Sequence, residues 1–143
     1  FGQPDLKDEN MRALFTFLFN SLSTAHASFK SRTYITPLEN QLKQLHLEIS
    51  NSLEQKHSIA RCAKQLNISE SYFQLIYKKL FGISFQQDLI LMRVTRARFN
   101  LSTSNLSLSQ IAEFCGYNNE VHFYRQFKKL TGVTPAQYRK HPF

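Results

Sequence analysis

Apolar residues recur along most of this chain at the three-to-four-residue spacing of amphipathic helices. Within residues 5–23 the spacing predicts a first helix, and a linker rich in Ser and Thr follows up to Pro37. A second helix is predicted from Leu38 to Leu53, and Pro37 suits its first turn. No apolar run approaches the ~20 residues that a membrane helix needs. The pattern predicts an all-α protein without a membrane partner.

The remainder of the chain contains an internal repeat, with one copy in residues 58–84 and the other in residues 107–134. Each copy predicts a short helix, a turn and a longer helix, and copy two has one extra residue in its turn. Gly82 and Gly132 follow the longer helices in register, where a left-handed residue commonly ends a helix. The predicted helices are 59–66 and 70–80 in copy one, and 108–115 and 119–130 in copy two. Each copy therefore describes a helix-turn-helix.

Matching positions in the two copies carry matching kinds of residue. Ser69 and Asn118 stand where the longer helices need a capping side chain. A small Ala in the middle of each short helix allows the longer helix to cross closely. The positions predicted to be buried are Ile59, Cys62, Ala63, Leu66, Phe73, Ile76, Tyr77 and Leu80, and then Leu108, Ile111, Ala112, Cys115, Phe123, Phe127 and Leu130. Between the copies, residues 85–101 contain no Gly or Pro and predict one continuous connecting helix.

The net charge of +8 is concentrated in the repeated part of the chain. Residues 1–57 contain six basic and six acidic residues, whereas residues 58–143 contain 12 basic and four acidic residues. A basic segment with its own fold favours a polyanionic partner. Together with two helix-turn-helix patterns, this charge predicts binding to double-stranded DNA.

The faces of the longer helices that the core leaves free have the chemistry of base readers. The residues on these faces are Glu70, Ser71, Gln74, Leu75 and Lys78 in copy one, and Asn119, Glu120, Val121, Tyr124, Arg125 and Lys128 in copy two. Amides pair with adenine, guanidinium groups with guanine and carboxylates with cytosine, and apolar side chains meet the thymine methyl group. The residues predicted to contact the DNA backbone are Ser69, Lys78, Lys79, Arg96, Asn118, Lys128 and Lys129.

A rigid connecting helix would hold the two helix-turn-helix motifs at a fixed distance from each other. Dimeric helix-turn-helix readers place two recognition helices about 34 Å apart, one helical turn of DNA. Two motifs in one chain can do this without a partner. Because the copies differ at their exposed positions, we expect a non-palindromic site. The alternative is that one copy is mainly structural or only anchors phosphates.

Residues 111–139 resemble the signature of the AraC/XylS family of bacterial transcription regulators. The elements that carry the resemblance are Ile111-Ala112, Gly116-Tyr117, Phe123, Phe127-Lys128, Gly132, Thr134-Pro135 and Tyr138-Arg139. Copy one resembles the first motif of the family, with Asn67 in place of the turn glycine and Leu75 where many relatives carry a polar residue. The resemblance covers about residues 38–143.

The resemblance implies a seven-helix, two-lobed DNA-binding domain over residues 38–143. Its first motif would lie at about 58–82, its connecting helix at about 85–101 and its second motif at about 107–131. Residues 1–37 would then be the tail of an upstream effector or dimerisation domain. Carried over by position, the family's base-reading residues are Ser71, Gln74 and Leu75, and Glu120, Val121, Tyr124 and Arg125.

The resemblance also implies what the protein does. We expect a bacterial regulator of transcription, more often an activator, that contacts RNA polymerase and acts in the cytoplasm at the nucleoid. It would form a homodimer, if at all, through the upstream region. No cofactor is expected.

Two other classes of protein remain as alternatives. The first is a DNA-modifying enzyme anchored by such motifs, which would need a cysteine nucleophile, although Cys62 and Cys115 both fall on inward positions. The second is a helical interaction module without a nucleic-acid role. A metal site is not predicted, because the five histidines are scattered and show no ligand spacing.

Overall fold

The computed structural model describes residues 36–142. The helix predicted over residues 5–23, and most of the linker after it, lie outside the described residues. The described part is helical throughout its regular structure, which confirms the all-α prediction there. Its seven helices are α1 Pro37–Asn51, α2 Ile59–Gln65, α3 Glu70–Phe81, α4 Phe85–Thr103, α5 Leu108–Phe114, α6 Glu120–Thr131 and α7 Pro135–Lys140.

Short polar side chains determine where these helices begin. Thr36 caps α1 and forms a capping box with Glu39, in which each side chain bonds the backbone N–H of the other residue. Pro37 occupies the first turn as predicted, because its missing N–H has no partner there in any case. The other capping residues are Ser58, Ser69, Ser84, Ser107, Asn119 and Thr134.

Helices α3 and α6 end in the same way. Gly82 and Gly132 have φ angles of +75° and +78°, so both adopt the left-handed conformation predicted for them. Each glycine N–H donates a hydrogen bond to the carbonyl four residues earlier, on Lys78 and Lys128. The two copies of the sequence therefore end their longer helices with the same cap.

The first lobe is built on a core contributed by α1, α2, α3 and the beginning of α4. Phe73 and Tyr77 of α3 are its largest fully buried side chains, and Phe85 of α4 meets both rings edge-on at 5.4 Å. From α1 and the turn after it come Leu42, Leu45, Ile49 and Leu53. Leu53 lies two residues beyond the end of α1, yet it is buried.

The second lobe repeats this plan with α5, α6, α7 and the end of α4. Phe123 and Phe127 occupy the places that Phe73 and Tyr77 hold in the first lobe, and both are fully buried. Tyr138 of α7 packs against Phe127, with ring centroids 5.6 Å apart. The remaining core residues are Val94, Ala97, Leu101, Ile111, Ala112, Cys115 and Tyr117.

Helix α4 belongs to both cores and so connects the lobes rigidly. Its N-terminal part supplies Phe85 and Leu89 to the first core, and its C-terminal part supplies Val94, Ala97 and Leu101 to the second. Ala97 has no exposed surface, which lets neighbouring helices approach closely. The predicted connecting helix is confirmed and runs two residues further than expected, to Thr103.

Both cysteines are buried and unpaired, as predicted. Burial raises the pKa of the Cys62 thiol, and it raises the pKa of Cys115 to about 11. A thiol needs to ionise to act as a nucleophile, so neither cysteine suits the enzyme alternative. Within residues 36–142 no group of three metal-binding side chains comes together, and the helices of this range are too short or too polar to span a membrane.

Candidate nucleic-acid interface

Helix α3 turns a mostly polar face away from the first core. Ser69 caps the helix, because its hydroxyl accepts a hydrogen bond from the backbone N–H of Tyr72 at 3.2 Å. Phe73 and Tyr77 hold the opposite face in the core. The positions on the other side of the helix therefore point outward. The predicted contact residues that are exposed on α3 are Ser71, Gln74, Leu75, Lys78 and Lys79.

Helix α6 is held in the same manner by Phe123 and Phe127, but its cap differs from the prediction. The side chain of Asn119, and not that of Asn118, accepts hydrogen bonds from the backbone N–H groups of Val121 at 2.8 Å and His122 at 3.3 Å. The prediction that Asn118 caps this helix is wrong, because the extra residue in the turn of copy two moves the helix start by one position. Asn118 is an exposed residue of the turn.

Both α3 and α6 carry an aliphatic side chain that is mostly exposed. Leu75 of α3 is 66% exposed and Val121 of α6 is 63% exposed. An apolar side chain this open gains free energy if a partner covers it. The thymine methyl group is the apolar feature that the major groove offers to such a side chain. The exposure of Leu75 is therefore compatible with its assignment as a base reader.

Two residues predicted to read bases on α6 have partners within the second lobe. The hydroxyl of Ser109 on α5 donates a hydrogen bond to the Glu120 carboxylate. Tyr124 is only half-exposed, because its ring meets Phe123 edge-on at 5.9 Å and joins the edge of the core. Burial raises the pKa of Tyr124, so its hydroxyl is a neutral donor. Arg125 is exposed, as a base-reading side chain must be.

Positive charge is placed at the C-terminal turn of both recognition helices. Lys78 and Lys79 end α3, and Lys128 and Lys129 end α6, and all four are exposed. Cations at this end of a helix are also favoured by the helix dipole. The four ammonium groups are therefore open to solvent, and their contact with phosphates stays a prediction.

Arg96, which the sequence predicts to contact the DNA backbone, has partners within the chain. Its guanidinium lies against the end of α1, where one Nη donates a 2.6 Å hydrogen bond to the carbonyl of Ser50 and the other is 3.8 Å from Glu54. The charge is thus engaged within the chain. The sequence showed a basic residue on α4 but could not show that α1 folds back against it.

A polar network at the start of α6 was not predicted. The hydroxyl of Tyr117 donates to the side-chain oxygen of Gln126 at 2.8 Å, and the Gln126 amide lies 3.0 Å from Nε2 of His122. Arg93 of α4 lies over the Tyr117 ring, 5.6 Å from its centroid. Burial raises the pKa of Tyr117 to about 12, although Arg93 opposes the shift. The i, i+4 spacing of His122 and Gln126 was the one signal of this network in the sequence.

A cleft of about 230 Å³ opens beside this network, between the lobes. One wall is the segment 54–57 after α1, and the other is the turn 116–119 before α6. Arg93 and His122 also line it. The cleft marks the place where the second motif meets the first lobe, next to the N-terminus of α6.

The comparisons with known proteins agree with this geometry. A helix-turn-helix domain model matches residues 62–141. The transcriptional activator RhaR of Salmonella schwarzengrund is 28% identical over 138 residues, which are 96% of this chain and 49% of RhaR. The chain spans about half, or less, of the length of the curated relatives that it matches.

Two solved structures are also similar. The C-terminal domain of the response regulator yesN from Fusobacterium nucleatum is 32% identical with a TM-score of 0.67, and the match covers 70% of this chain and 98% of that domain. The DNA-binding domain of AdpA, solved in complex with a target DNA, is 26% identical with a TM-score of 0.65, covering 74% of this chain and 92% of that domain.

The fold, the exposed helix faces and these similarities define a DNA-binding transcription regulator with two helix-turn-helix motifs. The chain belongs to the AraC/XylS family. The relatives and solved structures named above are transcription regulators or DNA-binding domains rather than enzymes, which favours the regulator over the enzyme alternative.

Proposed function

We propose that this regulator reads two neighbouring stretches of major groove, with α3 in one and α6 in the other. The observation that carries the proposal is that two equivalent helices, each anchored by two buried aromatic rings, expose their free faces while one continuous helix joins their lobes. The base-reading residues would be Ser71, Gln74 and Leu75 on α3, and Glu120, Val121, Tyr124 and Arg125 on α6. Phosphates would be bound by Ser69, Lys78, Lys79, Asn118, Lys128 and Lys129.

Selection of bound sequences from a random DNA pool tests this proposal. We expect a bipartite, non-palindromic site whose two conserved halves lie about one helical turn apart. Substituting Gln74 by Ala should relax the selection in one half, and substituting Arg125 by Ala should relax it in the other. If the pool yielded a single conserved half that Gln74→Ala left unchanged, α3 would not be a base reader.

The regulator would act as an activator, as the name of the relative RhaR suggests. It would also contact RNA polymerase, as the family resemblance implies. A homodimer would form through residues upstream of the DNA-binding part, and the protein would work at the bacterial nucleoid. A promoter carrying the selected site should raise transcription by purified RNA polymerase when the full chain is added. Repression by the full chain in that assay would contradict the activator role.

A further inference from the structure

Gly116, in the turn of the second motif, touches the backbone of the first lobe. A Cβ atom added at this position would lie 1.9 Å from the carbonyl oxygen of Leu53, a distance that real Cβ atoms essentially never show. Because the neighbour is backbone, it cannot swing aside as a flexible side chain would. Residue 116 must therefore be a glycine if the two lobes are to meet in this way.

A comparison of Gly116 with its counterpart in the first motif shows whether the glycine is needed for its small size or for its backbone conformation. Asn67 stands at the corresponding turn of the first motif and adopts a left-handed φ of +54°, compared with +86° at Gly116. Asparagine tolerates this conformation better than most residues. The left-handed turn itself does not demand glycine, so the close approach of Leu53 is the reason for Gly116.

Two arginines of α4 complete the junction of the lobes. Arg96 donates its 2.6 Å hydrogen bond to the carbonyl of Ser50 at the end of α1. Arg93 lies beside Gly116, with one Nη 3.0 Å from the position that a Cβ atom would take. The segment 50–54 thus contacts both α4 and the turn of the second motif.

We propose that this junction, formed by Gly116, Leu53 and Arg96, fixes the spacing between the two half-sites that the protein accepts. The inference rests on the proposed reading of two grooves. Half-site spacing is set by the placement of the two recognition helices, and each inserted base pair rotates one half-site by about a tenth of a turn. Gly116 and Arg96 act as positioning residues that contact the first lobe and not the bases.

The test measures affinity for the selected site when its spacer is shortened or lengthened by one or two base pairs. The full chain is compared with Gly116→Asn and with Gly132→Asn, a matched control whose φ of +78° is similar but whose Cβ would meet open space. We expect a sharp optimum for the unmodified chain and for Gly132→Asn. For Gly116→Asn we expect a broadened or displaced optimum.

Two linked modules gain about 10²–10⁴ in affinity only while both can bind at once. Gly116→Asn should therefore lose at least about tenfold at the original spacing while its affinity for an isolated half-site is retained. Arg96→Met is the second variant, in case the first does not fold, and it should also broaden the optimum. Folding is checked by thermal unfolding.

The inference is overturned if the folded variants keep the spacing profile of the unmodified chain, or if affinity falls by one factor at every spacing and on isolated half-sites. If Gly116→Asn does not fold, Arg96→Met decides by the same criteria. Failure of the proposed function looks different, because the unmodified chain would then select no bipartite site at all.

Discussion

Asp88 is a buried carboxylate that organises the polar part of the first core. The hydroxyl of Tyr77 donates a 2.6 Å hydrogen bond to it, and Nε2 of His46 lies 2.9 Å from the same oxygen. Burial and the negative charge of Asp88 both raise the pKa of Tyr77, so the phenol keeps its proton. A buried donor without an acceptor is costly, which makes the bond to Asp88 a condition for burying Tyr77.

We expect Asp88→Ala to lower the free energy of unfolding by about 1–3 kcal/mol, because it leaves the Tyr77 hydroxyl buried without an acceptor. In a Tyr77→Phe background the same substitution should cost less, since no hydroxyl remains to be satisfied. Urea unfolding of the four proteins in this cycle measures the difference. Equal costs in both backgrounds would show that the hydrogen bond has no energetic role.

The two cysteines give a prediction about reactivity and pH. Both are buried and both have a raised pKa, that of Cys115 reaching about 11. A thiol reagent at pH 8 should modify them far more slowly in the folded chain than in urea. Rapid modification of the folded protein would contradict the burial of the two thiols.

The raised pKa values also predict how stability depends on pH. Because the folded thiols hold their protons to higher pH than unfolded ones, the free energy of unfolding should fall once the pH rises into the range in which unfolded thiols ionise.

Arg125 and Lys128 lie one turn apart on α6 and are both exposed, yet we expect different roles for them. Arg125→Ala should cost about 1–3 kcal/mol on the selected site and relax the preference at one base pair. Lys128→Ala should weaken binding to all sequences alike. Titrations against the selected site and against random DNA distinguish the two effects. If Arg125→Ala weakened both DNAs equally, Arg125 would be a phosphate contact.

At the scale of the helices, the sequence predicted the elements well and their ends less well. Helices α2, α3, α5 and α6 begin and end within about one residue of their predicted limits, because apolar spacing and capping side chains agree there, as do the glycines that end α3 and α6. The start of α6 was misplaced by one residue, since Asn118 and Asn119 are adjacent and capable of the same cap. Only the backbone shows which side chain reaches the free N–H groups.

Asn119 and Asn118 form a matched pair for testing that cap. Asn119→Ala should lower the free energy of unfolding by about 0.5–2 kcal/mol, because two N–H groups of α6 lose their acceptor. Asn118→Ala, at an exposed turn position, should change it by less than about 0.5 kcal/mol. Thermal unfolding measures both. A larger loss for Asn118→Ala than for Asn119→Ala would indicate that Asn118 is the cap, as the sequence predicted.

Contacts between distant segments were beyond the reach of the sequence pattern. Periodicity marks which face of a helix is buried, but it does not say which neighbour buries it. For that reason the sequence shows neither the bond from Arg96 to Ser50 nor the close approach of Gly116 to Leu53. The half-burial of Tyr124 has the same cause, because the edge of a core depends on how the lobe closes around it.

For the molecule as a whole, the open question from the sequence is whether both motifs bind DNA or one is mainly structural. The two lobes are built alike, and each recognition helix ends in two exposed lysines. Phosphate binding releases counterions, so the slope of log K against log salt concentration counts the contacts, at about 0.9 for each phosphate. The contribution of each motif to this slope can be measured by substituting the lysine pair of one motif at a time.

We therefore expect Lys78→Ala/Lys79→Ala and Lys128→Ala/Lys129→Ala each to lower the magnitude of this slope by as much as about 2 units, with the effects adding in the fourfold variant. Additivity follows because the two pairs are on different lobes that share a single duplex. The affinity for the selected site is measured at salt concentrations between 50 and 200 mM. If the first pair left the slope unchanged while the second lowered it, α3 would not touch the phosphates, and the first motif would serve the second as a structural support.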